Sequence, residues 1–394
     1  MSDCGTMLLA SRNDVAVATD ADSFTTAISS GKNIIAVTDD LTIAAPINLG
    51  SKKLVGPSYF SDISVCKEAK RTVLSTSDTL TFNNGNIEEI AIQFTFDDRS
   101  KNGMEGSGII KNASVSTMKS AQYVISGEKL TFQGNVLLEA FQNLAVLKST
   151  KNGKIDIYGA LNLKASFVSS GIETDEFSAV SVKNTGSLTM DMDGNCHGGI
   201  DLEKDSSFVA DGPVKLNSMF YQGIRTPFQE DNDSFITLNA NGNIFNAWEA
   251  LGTYKAPITI NGTTTIKCLR VSSWPCVAIE SFSGKITINA PVTIQNAIQD
   301  DVIVRSVGSI EINSSVTSTS GEGILSANSD SSTSSISSSG AILGVRELNF
   351  PSLSVSAGAK IQIGSYACLK ASENKVVKIE LEEGIGDPFT EYCN

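Results

Sequence analysis

The amino-acid sequence predicts an all-β fold, a single right-handed parallel β-helix with a short N-terminal capping helix. Three observations carry that expectation. Apolar and polar residues alternate in short runs, the pattern of half-buried strands whose side chains point to opposite faces. One such run is written twice, as GKIDIYGALNLKAS at 153–166 and GKITINAPVTIQNA at 284–297, with Ile155, Ile157 and Leu163 matching Ile286, Ile288 and Ile294. Looser versions begin at Gly127, Gly186, Ala256, Gly308 and Gly358, the closer neighbours standing 24 to 33 residues apart. Spacing that recurs without being fixed marks stacked coils joined by loops of variable length.

The same spacing excludes other β folds. An immunoglobulin-like array repeats near 100 residues. A left-handed hexapeptide solenoid demands a strict period of six, and propeller blades need roughly 40–50 residues with an aromatic signature. What remains is a coil of several short strands, each paired with its counterpart about 4.8 Å away in the next coil. Coils of roughly 27 residues would number about a dozen.

Each element follows in order. Residues 1–30 form an N-terminal segment whose end, DADSFTTAISS, reads as a capping helix. Asp22 or Ser23 is the expected N-cap, with Phe24, Ala27 and Ile28 on one face. Such a cap covers the unpaired edge that a solenoid end exposes. The β-helix spans 31–377, its first coils being NIIAVTDDLTIAAPINLGSKKLVGP at 33–57. VAIES at 277–281 and DVIVRS at 301–306 add further strands to their coils. NNGN at 83–86, NANGN at 239–243 and NGT at 261–263 are expected corners, where Gly and Asn tolerate positive φ. Seventeen Phe against two Trp suit stacking inside a narrow core. The Ser-rich stretch from Ser314 to Ser339 reads as an external loop interrupting the ladder. Residues 378–394 form a C-terminal cap and tail.

Composition narrows the class. Of 394 residues, 41% are apolar and 19% charged, which is neither a disordered nor a helical composition. A net charge of −13 without a basic cluster argues against nucleic acid as a partner. No apolar run reaches the length of a membrane-spanning helix, and the start lacks the basic n-region of a secretory signal. The seven cysteines are Cys4, Cys66, Cys196, Cys268, Cys276, Cys368 and Cys393. None forms a C-x-x-C pair, so zinc and redox motifs lack their spacing. Cys268 with Cys276 and Cys368 with Cys393 are the sequence-near candidate disulfides. Buried free thiols are the alternative.

The segment from Asp22 to Pro57 resembles the entry coils of pectin-lyase-like β-helices. The phrases GKITINAPVTI and GSIEINSSV are similar to those of autotransporter passenger domains and related bacterial adhesins. The resemblance covers most of the chain as a style of repeat. It implies a secreted or cell-surface structural or adhesive protein, mediating attachment or self-association, whose leader has been removed. An intracellular protein is the other reading. Two features depart from the pattern: no membrane barrel follows, and the regular GGA-I and F-x-x-N repeats of polymorphic outer-membrane proteins are absent.

Pectin-lyase-like folds also carry polysaccharide lyases, hydrolases and phage-type depolymerases, so an enzyme on a polysaccharide is the runner-up, and fold alone does not decide. His197, in DGNCHGGID, is the only histidine. The polygalacturonase order fails around it, since Asp300 and Asp301 follow it and no Arg-x-Lys does. It reads as a corner histidine. Asp97–Asp98, Asp191–Asp193 and Asp300–Asp301 are the carboxylate pairs that glycoside hydrolysis could use. Asp191 and Asp193 share a strand face about 7 Å apart and form a weak Ca²⁺ candidate. Solvated corners are the plainer reading in a chain with 43 acidic residues. Arg225 lies near Glu230, Asp231 and Asp233, as a lyase base beside acids would, though surface ion pairs look the same. Trp248 and Trp274 are a thin aromatic supply for stacking on sugars. The sequence therefore assigns no catalytic or metal residue and no cofactor, and leans away from an enzyme. It leaves a host surface, a glycan or a second copy as partner, with an architectural coat or filament subunit as a third possibility. Asn112, Asn232, Asn261 and Asn313 begin Asn-x-Ser/Thr sites that matter only in a eukaryotic secretory route. A groove where carboxylates converge with Arg or Lys would favour the enzyme, and a flat polar face would favour adhesion.

Overall fold

The computed structural model describes residues 2–193, 196–217, 221–227, 233–268, 275–298, 300–327 and 335–349, with the backbone of strands Leu353–Val355, Lys360–Lys370 and Ile379–Leu381. Its strands pair in parallel, each with its counterpart one coil on. Three strands make a coil, so three sheets run along the solenoid. One coil is Val277–Ser281, Ile286–Ile288 and Val292–Gln295, on the first, second and third sheets. The next is Val302–Ser306, Ser309–Ile312 and Ser315–Ser318. Ile279 pairs with Val304, Ile288 with Ile312 and Val292 with Val316. Hydrogen-bonded side chains on neighbouring coils are 22 to 28 residues apart. The fold is thus the expected parallel β-helix, in two compact units, Met1–Asp175 with Ala179–Asn195 and Glu176–Ser178 with Cys196–Asn394.

The twice-written phrase now has a reason. In the first unit GKIDIYGALNLKAS supplies the end of strand Ala145–Ile157, a corner, and strand Ala160–Ser166. In the second unit GKITINAPVTIQ likewise carries a second-sheet strand, a corner and a third-sheet strand. Its inward residues form columns: Ile258, Ile286, Ile310 and Ile336 on one sheet and Ile244, Ile266 and Ile294 on another are all fully buried. β-Branched side chains fill such pleated surfaces well, and each fully buried Ile contributes about 2 kcal/mol. GSLTMDM at 186–192 breaks the analogy, since strand Ser187–Met192 lies on the third sheet, and strand Lys360–Lys370 passes from the third sheet to the first.

Corners are pinned by two polar columns. Between the first and second sheets of the second unit, Ser281 Oγ donates to the Ala256 carbonyl at 3.0 Å and accepts from Gly284 N–H at 2.9 Å. Ser306 repeats this one coil on, with the Gly284 carbonyl and Gly308 N–H. Between the second and third sheets runs an asparagine ladder. Asn261 Nδ2 donates to Asn239 Oδ1, Asn289 to Asn261, and Asn313 to Asn289, at 2.7, 2.7 and 2.8 Å. Asp211 and Ser339 extend it at either end. The expectation of positive φ at NANGN and NGT is corrected here, because of these three expected corners only NNGN holds such a residue, Asn84. The others use asparagine for its amide and glycine for close approach: a Cβ on Gly262 would lie 2.0 Å from the Ala240 carbonyl oxygen.

Three further expectations change. The capping helix is Ala21–Ser29 with Asp20 as N-cap, because Asp20 and Ser23 form a reciprocal capping box that Asp22 does not. A second helix, Asp3–Ser11, precedes it. Its Cys4 forms a disulfide with Cys66, a pair 62 residues apart that adjacency in sequence did not suggest. Cys4 and Cys66 pack with Leu8, Val15, Ala36, Val55 and Phe60 in one buried cluster. The described parts of the Ser-rich stretch are not an external loop, and residues 328–334 lie outside the described residues. Ser315–Ser318, Ile324–Ala327 and Ser335–Ser338 stay in the ladder, because Val316, Leu325 and Ile336 still point inward and are fully buried. Cys268 and Cys276, one of the two candidate pairs, are joined, Cys196 is buried and outside both disulfides, and the side chains of Cys368 and Cys393 lie outside the described residues.

Candidate functional site

On the outer face of the first sheet, in the second unit, lies a groove of about 430 Å³. Its floor comes from four successive strands, Gln222–Arg225, Glu249–Thr253, Val277–Ser281 and Val302–Ser306. Their registers place Gln222, Glu249, Val277 and Val302 in one row and Arg225, Gly252, Glu280 and Arg305 in another. Aromatic residues stand at both corners. Tyr221 and Trp248 immediately precede their strands and meet edge to face at 6.4 Å. Tyr254 and Phe282 immediately follow theirs and stack nearly parallel at 4.9 Å. Among the described residues Phe141, Phe167, Phe177, Phe235 and Phe282 are at least 39% exposed, so Phe does not serve the core alone.

The floor is charged. Arg225 holds Asp201 through two bonds, of 2.6 and 2.7 Å. Arg305 grips Glu280 Oε1 through Nε at 2.7 Å and Nη2 at 2.6 Å. Glu249 is only 8% exposed and takes 2.7 Å donation from Gln222 Nε2 on its Oε2. Burial pushes its pKa up, and the Glu280 charge adds to that. Gln222, Arg225 and Arg305 pull the other way without prevailing. Gly252 makes the room: a Cβ there would meet Glu249 Oε1 at 2.0 Å. The Glu249 carboxyl therefore lies over Gly252, one strand from Glu280.

The residues singled out from the sequence fall elsewhere, with two exceptions. Arg225 is in the charged floor, but its partner is Asp201 rather than Asp233, whose N–H instead donates to Asp205. Glu230 and Asp231 lie outside the described residues. Trp248 lines the groove, and Trp274 lies outside the described residues. His197 is an exposed corner residue whose ring meets Tyr221 at 5.1 Å, tilted by 49°. Asp301 is 1% exposed and accepts from Cys276 N–H and Ile298 N–H at 2.8 Å, which makes it a corner brace. Asp98 accepts from the N–H and hydroxyl of Ser100 in a tight turn, which lowers its pKa. Asp191 is paired in register with Lys164, and Asp193 receives Phe167 N–H at 3.4 Å. Among the described residues no group of three or more His, Cys, Asp or Glu has metal-holding geometry, and no helix is long and apolar enough to cross a membrane. The side-chain amides of Asn112, Asn261 and Asn313 donate to Glu89, Asn239 and Asn289. Asn232 lies outside the described residues.

Glu249 and Glu280 escaped the sequence reading. Their signal was an acid within an apolar strand beside an aromatic residue, in NAWEALGTY at 246–254 and VAIESF at 277–282. The first unit offers a smaller groove of about 280 Å³, lined by Arg99, Gln122, Gln142 and Phe167 among others. It also carries Lys148, which bonds Glu173 and Asp175 at 2.6 Å each. Comparison with family models, curated proteins and solved structures returns no match. The fold and groove define a parallel β-solenoid with an aromatic-walled, charged cleft, and the cleft's chemistry carries the functional argument.

Proposed function

We propose that this is a secreted or cell-surface β-helical attachment protein whose first-sheet groove receives a glycan chain. One observation carries the reading: Trp248, backed by Tyr221, on one rim and Phe282, stacked with Tyr254, on the other bracket a polar floor. Sugar rings combine apolar faces with hydroxyl edges. Aromatic walls with a few placed polar groups match both. The resemblance of the repeats to adhesins and two disulfides in one chain support an oxidising, extracellular setting.

The glycan is a neutral one. Glu280 in the floor disfavours carboxylates and sulfates, and the Arg225 and Arg305 guanidiniums are committed to Asp201 and Glu280. A glycan array tests this. The full chain is expected to retain neutral oligosaccharides, and Trp248→Ala with Phe282→Ala should lose at least about tenfold in affinity at unchanged melting temperature. Retention of anionic glycans alone, or binding indifferent to both substitutions, overturns the reading.

A further inference from the structure

We propose that the groove also cleaves the glycan it binds, as a retaining glycoside hydrolase with Glu249 as general acid and base and Glu280 as nucleophile. This rests on the glycan-binding reading above. Three features of the site carry it. The Glu249 carboxyl lies over Gly252, and Gly252 is paired with Glu280 on the next strand. Neighbouring strands are about 4.8 Å apart, so side chains one strand apart on the same face can bring two carboxyls to the roughly 5–5.5 Å that retention requires. Each acid also keeps one oxygen unused: Oε2 of Glu249 takes Gln222 and Oε1 of Glu280 takes Arg305. Among the described residues, Glu249 Oε1 and Glu280 Oε2 make no hydrogen bond.

Stacked ion pairs are the competing account of these charges. They explain Asp201 with Arg225 and Glu280 with Arg305. They do not explain a buried carboxyl folded over a glycine, away from any guanidinium bond, in a cleft open to a ligand. Burial favours the protonated form of Glu249, as an acid needs, while Arg305 holds the Glu280 carboxyl in place.

The steps balance without another reagent. Glu280 Oε2 attacks the anomeric carbon and forms an ester bond as the glycosidic C–O bond breaks. The departing oxygen keeps that electron pair and takes the Glu249 proton. Water then gives a proton to the Glu249 carboxylate and its oxygen bonds the anomeric carbon, releasing the Glu280 carboxylate. One water is consumed, and two inversions leave the anomeric configuration unchanged.

The test uses the full chain with soluble xylan, mannan, dextran and mixed-linkage β-glucan. New reducing ends are counted, and the first-formed anomer is read by proton NMR. Release is expected from at least one, with retained configuration. Glu249→Gln and Glu280→Gln should each cut release by at least about 100-fold while holding that polysaccharide as tightly as the wild type. Gly252→Ala, which displaces the Glu249 carboxyl without removing it, should also cut release and spare binding. Binding without release overturns hydrolysis and leaves the attachment reading standing, whereas neither binding nor release overturns both. An inverted product, or release indifferent to both Gln substitutions, overturns the assigned roles.

Discussion

Glu249 is a carboxyl whose charge the fold works against. Burial raises its pKa above the ordinary 4.5, so the folded chain binds that proton more tightly than the unfolded one. The sign follows from linkage. Whatever Glu249 contributes is fully present below the ordinary value and is lost as pH rises through its own raised value. Glu249→Gln removes this loss. Urea midpoints should therefore show the variant gaining on the wild type as pH rises above the ordinary 4.5, and no such gain would mean that Glu249 stays solvated. Higher stability with lost turnover would also separate a functional carboxyl from a structural one. Lys148 is the contrasting case in the first unit. Burial alone would lower its pKa, but hydrogen bonds to Asp175 and Glu173 overcome that and leave it raised.

Strands here are held by their corners as much as by their ladders. A coil whose paired residues stand between 17 and 33 residues apart needs something other than length to keep its strands in register. The asparagine ladder supplies it between the second and third sheets, and the Ser281 and Ser306 hydroxyls between the first and second. Asn289 both donates to Asn261 and accepts from Asn313. Asn289→Ala removes two hydrogen bonds and is expected to cost about 1–2 kcal/mol in chemical denaturation. Ser281→Ala should cost about 1–3 kcal/mol, because it leaves the Gly284 N–H buried without its acceptor. Equal effects from Ala substitutions at exposed threonines of the same sheets would deny the corners this role. The Ser-rich coils obey the same logic: one inward aliphatic residue per strand keeps them in the ladder, whatever faces solvent.

The molecule as a whole has to end its ladder safely. Strand Val15–Ala18 pairs on one side with Ile34–Val37, and the helices Asp3–Ser11 and Ala21–Ser29 pack against it. An uncovered strand edge templates association with other chains. The Cys4–Cys66 bridge closes a 62-residue separation around this cap, and a loop of that length contributes about 2–4 kcal/mol. Replacing Cys4 and Cys66 by Ser should lower the urea midpoint by that amount and promote self-association on light scattering. An unchanged midpoint would show that the buried cluster around Leu8 holds the cap alone.

Periodicity by itself determined the architecture of this protein. Alternation of Ile and Thr in GKITINAPVTI can be satisfied only by strands with one buried face, and recurrence under 35 residues leaves a coil as the sole way to bury that face repeatedly. The sequence also offered Cys268–Cys276 as a candidate disulfide and placed the capping helix, with its N-cap two or three residues late. Tertiary structure alone decided the groove. Neither Glu249 nor Glu280 belongs to a motif, and loops of unequal length shift each coil's numbering against the next. Hydrogen-bonded register, set by the buried columns and the corner ladders, is what lays the Glu249 carboxyl over Gly252 and beside Glu280. Cys4–Cys66 has the same origin, because a winding chain brings together residues whose separation in sequence carries no signal.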